Sequence, residues 1–332
     1  MYLIAEIGQA HDGSLGIAHS FIDALKGTGI DAIKFQMHIA DAESSIDEPF
    51  RVKFSYADKN RIDYWRRMEF NLEQWNGIKN HCEEYGFDFI VSAFSNLAID
   101  NLEKLNVTKY KIGSGEVSNL LILEKISRTK KPVILSSGLS SLEELDRSVS
   151  YLTGRVKSIA LTQCTTAYPT SPNTWGLNAI KILKDRFNLP VGFSDHSGDI
   201  YACLFAGALG AELLEFHVTF DKSMFGPDSK ASLTIKQVKQ LVKGIEQLKI
   251  AKSNPATKSL NEEMINLKNI FEKSLSVNKV MKKGMTLNFE DLEGKKPYGK
   301  GISAKEFNNV IGRKLLVNKN KWDYLNWYDV NV

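Results

Sequence analysis

Residues 191–219, VGFSDHSGDIYACLFAGALGAELLEFHVT, form one complete unit of a larger pattern. A short apolar run at 191–194 leads into Asp195-His196, a helix-length stretch follows at 200–210, and a second strand-like run occupies 213–219. Outward from this unit the same alternation recurs. Strand runs stand at 2–7, 32–36, 87–91, 109–113, 132–136, 158–164, 191–194 and 213–219. Helical patterns follow each of them, at 15–26, 72–85, 98–104, 120–127, 142–152, 176–187, 200–210 and 235–251. The strand runs are nearly continuous in apolar residues, as parallel strands covered on both faces must be. An open doubly wound sheet would alternate in the same way, but eight consecutive units in about 250 residues predict a closed (β/α)8 TIM barrel.

Beyond the last helix the pattern breaks into a polar stretch containing Asn254-Pro255 and Asn261-Glu-Glu263, which reads as a linker with one short helix. Short β-like pieces then run to the C-terminus, separated by Lys282-Lys-Gly284, Pro297-Tyr-Gly299 and Gly312. The expected division is a barrel at 1–252, a linker at 253–272 and a small β domain at 273–332 that needs support from the barrel or from a partner chain. No repeat of solenoid period is visible.

Composition narrows the class. The 332 residues carry 43 Lys and Arg against 39 Asp and Glu, a formal charge of +4, which is no footprint for nucleic acid. The longest stretch without a charged or strongly polar group, about 202–211, is far short of the roughly 20 residues that span a bilayer. The N-terminus lacks a basic signal-peptide region, and three widely spaced cysteines (Cys82, Cys164, Cys203) fit a reducing cytoplasm.

In this fold the chemistry gathers at the C-terminal ends of the strands, and polar residues stand at the ends of all eight runs. They include Glu6; Lys34 and Gln36; Ser92; Lys111, Ser114 and Glu116; Ser136; Thr166 and Tyr168; Ser194 and His196; and His217. Lys34 and Lys111 lie in apolar surroundings, where an unpaired charge is costly. Two readings stand: ion pairs with core carboxylates, or a shared pocket for a multiply charged phosphate or carboxylate with Ser92, Ser114 and Ser136 as neutral donors. His196 and His217, at the ends of successive strands, are either ordinary hydrogen-bonding residues or a pair of imidazoles suited to a divalent ion such as Mn²⁺. His11 and His38 are lesser candidates, while His19 and His81 read as surface or packing residues. Arg61-Ile-Asp-Tyr-Trp-Arg-Arg-Met68 reads as part of one long loop capping the barrel, and the charges of the 235–251 helix as its solvated face.

Several segments together resemble the sialic acid synthase family: Ala5-Glu-Ile-Gly-Gln-Ala-His-Asp-Gly-Ser-Leu15, Tyr110-Lys-Ile-Gly-Ser-Gly-Glu116, Cys164-Thr-Thr-Ala-Tyr-Pro169, Gly192-Phe-Ser-Asp-His196, Glu215-Phe-His217, Gly226-Pro-Asp228 and Lys296-Pro-Tyr-Gly-Lys-Gly301. This family comprises N-acetylneuraminate synthases and their legionaminate and pseudaminate counterparts, and the resemblance covers nearly the whole chain. It implies a TIM barrel joined to a small antifreeze-like (SAF, β-clip) domain, assembled as a homodimer in which each small domain caps the partner's barrel. It implies, further, that His196 and His217 bind a divalent metal, usually Mn²⁺ with Mg²⁺ or Co²⁺ as alternatives. Lys34, Ser92, Lys111, Ser114, Ser136 and Ser194 would hold phosphoenolpyruvate. Gln36, Tyr168 and Asp228 would contact the amino sugar, with Thr166 also at the substrate, and Glu6 and Glu116 would be the catalytic carboxylates.

Three positions depart from the family pattern: Ala10 stands where Asn is usual, Met37 replaces a common Thr, and Lys296 replaces an Arg that the capping domain offers to the sugar. Lysine keeps the charge and loses the planar fork. The implied reaction condenses phosphoenolpyruvate with an N-acetylmannosamine-type sugar and releases phosphate. The alternatives are a 2,4-diacetamido acceptor leading to legionaminate or pseudaminate, a 3-deoxy-keto-acid synthase with a phosphorylated acceptor, a catalytically impaired homologue, or a carbohydrate- or ice-binding protein.

Overall fold

The computed structural model describes every residue except Lys53, Ser55 and Val332. From the N-terminus, β1 (Tyr2–Gly8) leads to α1 (Leu15–Leu25), and β2 (Ala32–Met37) to α2 (Ala40–Glu43), α3 (Arg61–Met68) and α4 (Leu72–Glu84). Then come β3 (Asp88–Ala93), α5 (Asn96–Lys104), β4 (Tyr110–Ile112), α6 (Leu120–Arg128), β5 (Val133–Ser136) and α7 (Leu142–Leu152). The series closes with β6 (Ile159–Cys164), α8 (Ala179–Phe187), β7 (Val191–Asp195), α9 (Ile200–Ala208) and β8 (Leu213–Thr219). A two-residue β9 (Leu233–Thr234) runs into α10 (Ile235–Ser253). Strands β1 to β8 pair in sequence order, all parallel, and β8 returns to β1 with Glu6 opposite His217. The predicted (β/α)8 barrel is therefore present.

Helix starts follow from local chemistry. Ser14, Asn71, Ser95 and Ser141 each cap a backbone amide of the first turn, and Asn71–Gln74 and Ser141–Glu144 form reciprocal capping boxes. Where the sequence suggests one loop between β2 and α4, Asn60 caps α3 instead. Ile62, Trp65 and Met68 recur at helical spacing within Arg61–Met68, and with Tyr64 they are buried. Bases interleaved at 61, 66 and 67 obscure that pattern in the sequence.

The placement of the site follows from strand alternation. Ile4, Ala32, Ile90, Ile134 and Leu213 close the barrel interior as one apolar layer. Side chains two residues apart point to the same side of a strand. The next inward layer is therefore Glu6, Lys34, Ser92, Ser136 and Glu215, all buried. The dry plug below leaves that polar layer facing the C-terminal mouth. A larger apolar core fills the space between the strands and the outer helices, and Lys236, Lys239, Lys243 and Glu246 on α10 are exposed as expected. Gly192 on β7 is required by a close approach: a Cβ there would meet Leu213 Cγ at 2.3 Å and its carbonyl oxygen at 2.4 Å.

The chain divides into two compact units, Met1–Ser253 and Asn254–Val332. In the second, α11 (Glu262–Phe271) occupies the stretch expected to be a linker, and β10 (Ser274–Val277) pairs antiparallel with β11 (Leu292–Lys295). Its own core includes Leu275, Val277, Met281, Leu287, Val310 and Leu325. Among the described residues no helix is long and apolar enough to cross a membrane, and all three cysteines are free and buried.

Candidate active site

The polar layer opens into a cavity of about 330 Å³ at the C-terminal ends of the strands. At its floor the two buried lysines make ion pairs with core carboxylates. Lys34 meets the Glu6 carboxylate and lies 3.3 Å from Ser92 Oγ, while Lys111 Nζ sits 2.7 Å from Glu215 Oε1. Glu215 also accepts from Ser194 at 3.0 Å and stands 3.8 Å from Lys34. Both lysines are thus paired with core carboxylates and both face the cavity.

The two carboxylates are driven apart in acidity. Burial pushes Glu6 up, Lys34 opposes this only in part, and the neighbouring Glu215 adds to it. Burial works on Glu215 in the same direction, but Lys111 and Lys34 outweigh it and bring Glu215 down to about 2. Lys34 loses by burial and gains more from Glu215 and Glu6, so its pKa rises. If one proton enters this quartet it settles on Glu6, leaving two ammonium groups against one carboxylate. Such a floor is charged to accept an anion.

Hydroxyls surround it. Ser114 and Ser136 lie 3.0 Å apart, and Gly138 packs so closely on them that a Cβ there would come within 2.3 Å of Ser114 Oγ and 2.6 Å of Thr166 Oγ1. Thr166 Oγ1 and Glu215 Oε2 are buried without a hydrogen-bond partner, which marks a place where a ligand's polar atoms belong.

Across the mouth, the His196 and His217 rings lie 5.2 Å apart between centroids, and Tyr168 packs 4.2 Å from His196. Burial brings His217 down to about 3, so it is a neutral imidazole at ordinary pH. Burial also works against charge on His196, but Cys164 beside it and the Thr165 carbonyl, 3.0 Å from Nδ1, raise it. Burial pushes the Cys164 thiol up, and His196 and Ser114 outweigh it and bring it to about 6. With His196 Nδ1 on a carbonyl, Nε2 is free to donate its lone pair. Asp228 Oδ2 stands 4.0 Å from His217 Nδ1. Among the described residues no group of three or more His, Cys, Asp or Glu is placed to close a metal site. The donor set fits a divalent ion held by two imidazoles with its other positions open, as in catalytic rather than structural centres.

The outer wall comes from the segment after β2. Arg51 donates to Asp228 at 2.8 Å and lies 3.9 Å over the Tyr168 ring, and Tyr64 and Trp65 of α3 line the same face. Glu116 also lines the cavity; burial raises it above the ordinary carboxylate range, and the Asn119 amide at 2.7 Å opposes this only in part.

Most of the residues singled out in the sequence meet here: Lys34, Gln36, Ser92, Lys111, Ser114, Glu116, Ser136, Thr166, Tyr168, Ser194, His196, His217 and Asp228 all line one cavity. Glu6, in the same layer as Lys34, is fully buried behind the cavity lining and meets Lys34 and Gln36. Lys296 belongs to the second unit, where its ammonium lies 4.5 Å over the Phe271 ring. His11 is buried against Phe70 and does not reach the cavity, whereas His38 does. His19 and His81, on the outer helices, lie with their Nδ1 atoms 2.8 Å apart. Sequence reasoning missed Glu215, Cys164 and Arg51 as site residues. Two of them carried a signal: Glu215 precedes His217 by two residues on the same strand face, and Cys164 ends a strand.

Comparison with known proteins gives the family. The NeuB family model matches residues 21–257. The N,N'-diacetyllegionaminic acid synthase of Campylobacter jejuni is 34% identical over 317 residues, covering 94% of each chain. Human N-acetylneuraminate-9-phosphate synthase is 31% identical, covering 95% of this chain and 89% of that one. The crystal structure of an N-acetylneuraminic acid synthetase from Leptospira borgpetersenii superposes with a TM-score of 0.70 at 28% identity, covering 80% of this chain and 90% of that one. The chain belongs to the NeuB family, that of the nonulosonic acid synthases its motifs resemble.

Proposed function

We propose that this nonulosonic acid synthase condenses phosphoenolpyruvate with the open-chain aldehyde of an acylated mannosamine-type sugar, forming a nine-carbon 2-keto acid and inorganic phosphate. The observation that carries the reading is the floor of the cavity, where two buried lysines face a ring of serine hydroxyls. Phosphoenolpyruvate brings roughly two to three negative charges, which Lys34 and Lys111 balance while Ser92, Ser114, Ser136 and Ser194 fix its orientation. Binding an anion there competes with Glu6 and Glu215 for the lysines. Glu6, the carboxylate already raised by burial, takes the proton that relieves the competition.

C3 of the enol attacks the aldehyde carbon, forming the new C–C bond and leaving cationic character at C2. Water captures C2 and gives up a proton, and the tetrahedral hemiketal phosphate then loses phosphate as its hydroxyl becomes the 2-keto group. Glu116, on the wall with a raised pKa, exchanges the proton at water or at the sugar oxygen, and Glu6 acts through Lys34. His196 and His217 would hold a divalent metal, Mn²⁺ first, which when bound polarises the aldehyde oxygen. Gln36, Tyr168 and Asp228 hold the sugar. Likeness to a legionaminic acid synthase supports a 2,4-diacetamido sugar as the second acceptor to be tried. Lys296 of the second unit is the group we assign to the sugar of a partner subunit in a homodimer.

The test is purified protein with Mn²⁺, phosphoenolpyruvate and a panel of 2-acetamido and 2,4-diacetamido sugars, reading phosphate release and product mass. Phosphate released only with a sugar present, and a product heavier by the keto-acid unit, are expected. No release with any acceptor overturns the reading.

A further inference from the structure

His38 has no part in the mechanism above, yet it is buried in the wall and hydrogen-bonded on both sides. Its ring is stacked between Trp65 at 3.9 Å and Phe94 at 4.6 Å. Nδ1 lies 2.6 Å from Glu43 Oε1, and Nε2 lies 3.1 Å from Gln36 Oε1. On its other side Gln36 donates from Nε2 to Glu6 Oε1 at 3.0 Å. A continuous chain thus runs from Glu43 through His38 and Gln36 to Glu6 and Lys34.

A primary amide can present either its oxygen or its NH₂ group, and the neighbours decide which. A second arm runs in a direction consistent with Gln36 Oε1 as the acceptor. The Tyr64 hydroxyl, which burial keeps in its phenol form, donates to Gln9 Oε1 at 2.6 Å. Gln9 in turn donates from its Nε2 to Gln36 Oε1, 3.4 Å away. With Gln36 Oε1 accepting from Gln9, His38 Nε2 is the donor to the same oxygen, and Nδ1 faces the Glu43 carboxylate. The Trp65 and Phe94 rings enclose the imidazole on both faces.

We infer that His38 is a positioning residue for Gln36: together with Glu43 it holds the amide oxygen away from the substrate, so that the cavity meets an N–H donor and never the carbonyl. Two acceptors' worth of lone pairs on Oε1 are taken by His38 and Gln9, and one N–H is taken by Glu6. What remains for the ligand is a single N–H, so the group recognised at this point is an oxygen acceptor of the sugar. This rests on the proposed condensation, in which Gln36 contacts the sugar; it adds the residue that sets the polarity of that contact.

The test begins with the wild-type reaction, because absence of turnover with every acceptor counts against the proposed function alone. With turnover established, H38F keeps the stack and removes both ring nitrogens, H38Q restores a donor at the place of Nε2, and Q36A removes the amide. H38F is expected to raise the sugar KM about tenfold, the worth of one hydrogen bond, with the phosphoenolpyruvate KM changed less than about twofold. H38Q should recover most of the loss, and H38F placed on Q36A should add nothing further. If H38F does not fold, E43Q, which removes the carboxylate facing Nδ1, carries the same comparison against Q36A. The inference is overturned if the losses multiply on the Q36A background, if both substrates' KM values rise together, or if H38Q is no better than H38F.

Discussion

Lys111 and Glu215 form a buried ion pair at the floor of the cavity, and the proposed reaction assigns Lys111 to phosphoenolpyruvate as well. Removing one partner of a buried ion pair strands the other, at a cost of about 3–5 kcal/mol. K111M should therefore lower the denaturation midpoint sharply and abolish phosphoenolpyruvate binding. The double change K111M/E215M should regain much of the stability, read by chemical denaturation, and none of the binding, read by calorimetry; recovered binding would remove Lys111 from the substrate site. Glu116 carries the pH prediction. Its pKa is raised by burial, so its contribution to stability is complete below the unfolded-state value and is lost as pH rises through the higher folded-state value. Activity runs the opposite way, because the ionised form is the base: kcat should climb with pH along a limb set above the ordinary carboxylate range. E116Q should lose that limb and about a hundredfold in kcat in a pH–rate series. H217A, by removing one imidazole of the pair, should abolish turnover and the response to added Mn²⁺, checked by phosphate release across a metal titration.

At the scale of elements, the strand ends were legible because a buried strand tolerates no unexplained charge: Lys34, Lys111 and His217 announced themselves by their apolar neighbours. Which acid pairs with which base was not legible, since Glu6 and Glu215 meet the lysines only through barrel closure and register. The segment after β2 was the least readable. α3 hides its apolar face behind bases that serve salt bridges, Arg67 to Asp58 and Asp12 and Arg66 to Asp41. Arg51 reaches Asp228 across the mouth, a contact far apart in sequence and invisible to any local pattern. Strand packing makes its own prediction at Gly192. A methyl group there collides with Leu213, backbone included, so G192A should cost several kcal/mol and appear as a large fall in melting temperature. Trimming the neighbour, in G192A/L213A, relieves the side-chain clash and leaves the carbonyl clash, so recovery should be partial.

For the whole molecule, the second unit has a core of its own and a helix, α11, whose apolar residues Met264, Leu267, Ile270 and Phe271 are exposed. An exposed apolar surface of this kind is covered in most stable proteins. In line with the proposed homodimer, light scattering should give twice the 37.3 kDa chain mass, and L267D/I270D should shift it toward the monomer. A monomer at every concentration would reject that assembly. The pairing of β1 with β8 has a consequence in time. Glu6 is made near the start of synthesis and its partner His217 about two-thirds of the way along, an interval of roughly 10–40 s at ordinary elongation rates. In its later part Lys34 and Lys111 have already been made and Glu215 has not. A chain interrupted before that strand leaves Lys111 without its carboxylate partner and the sheet with an open edge, so catalytic competence arrives only with barrel closure.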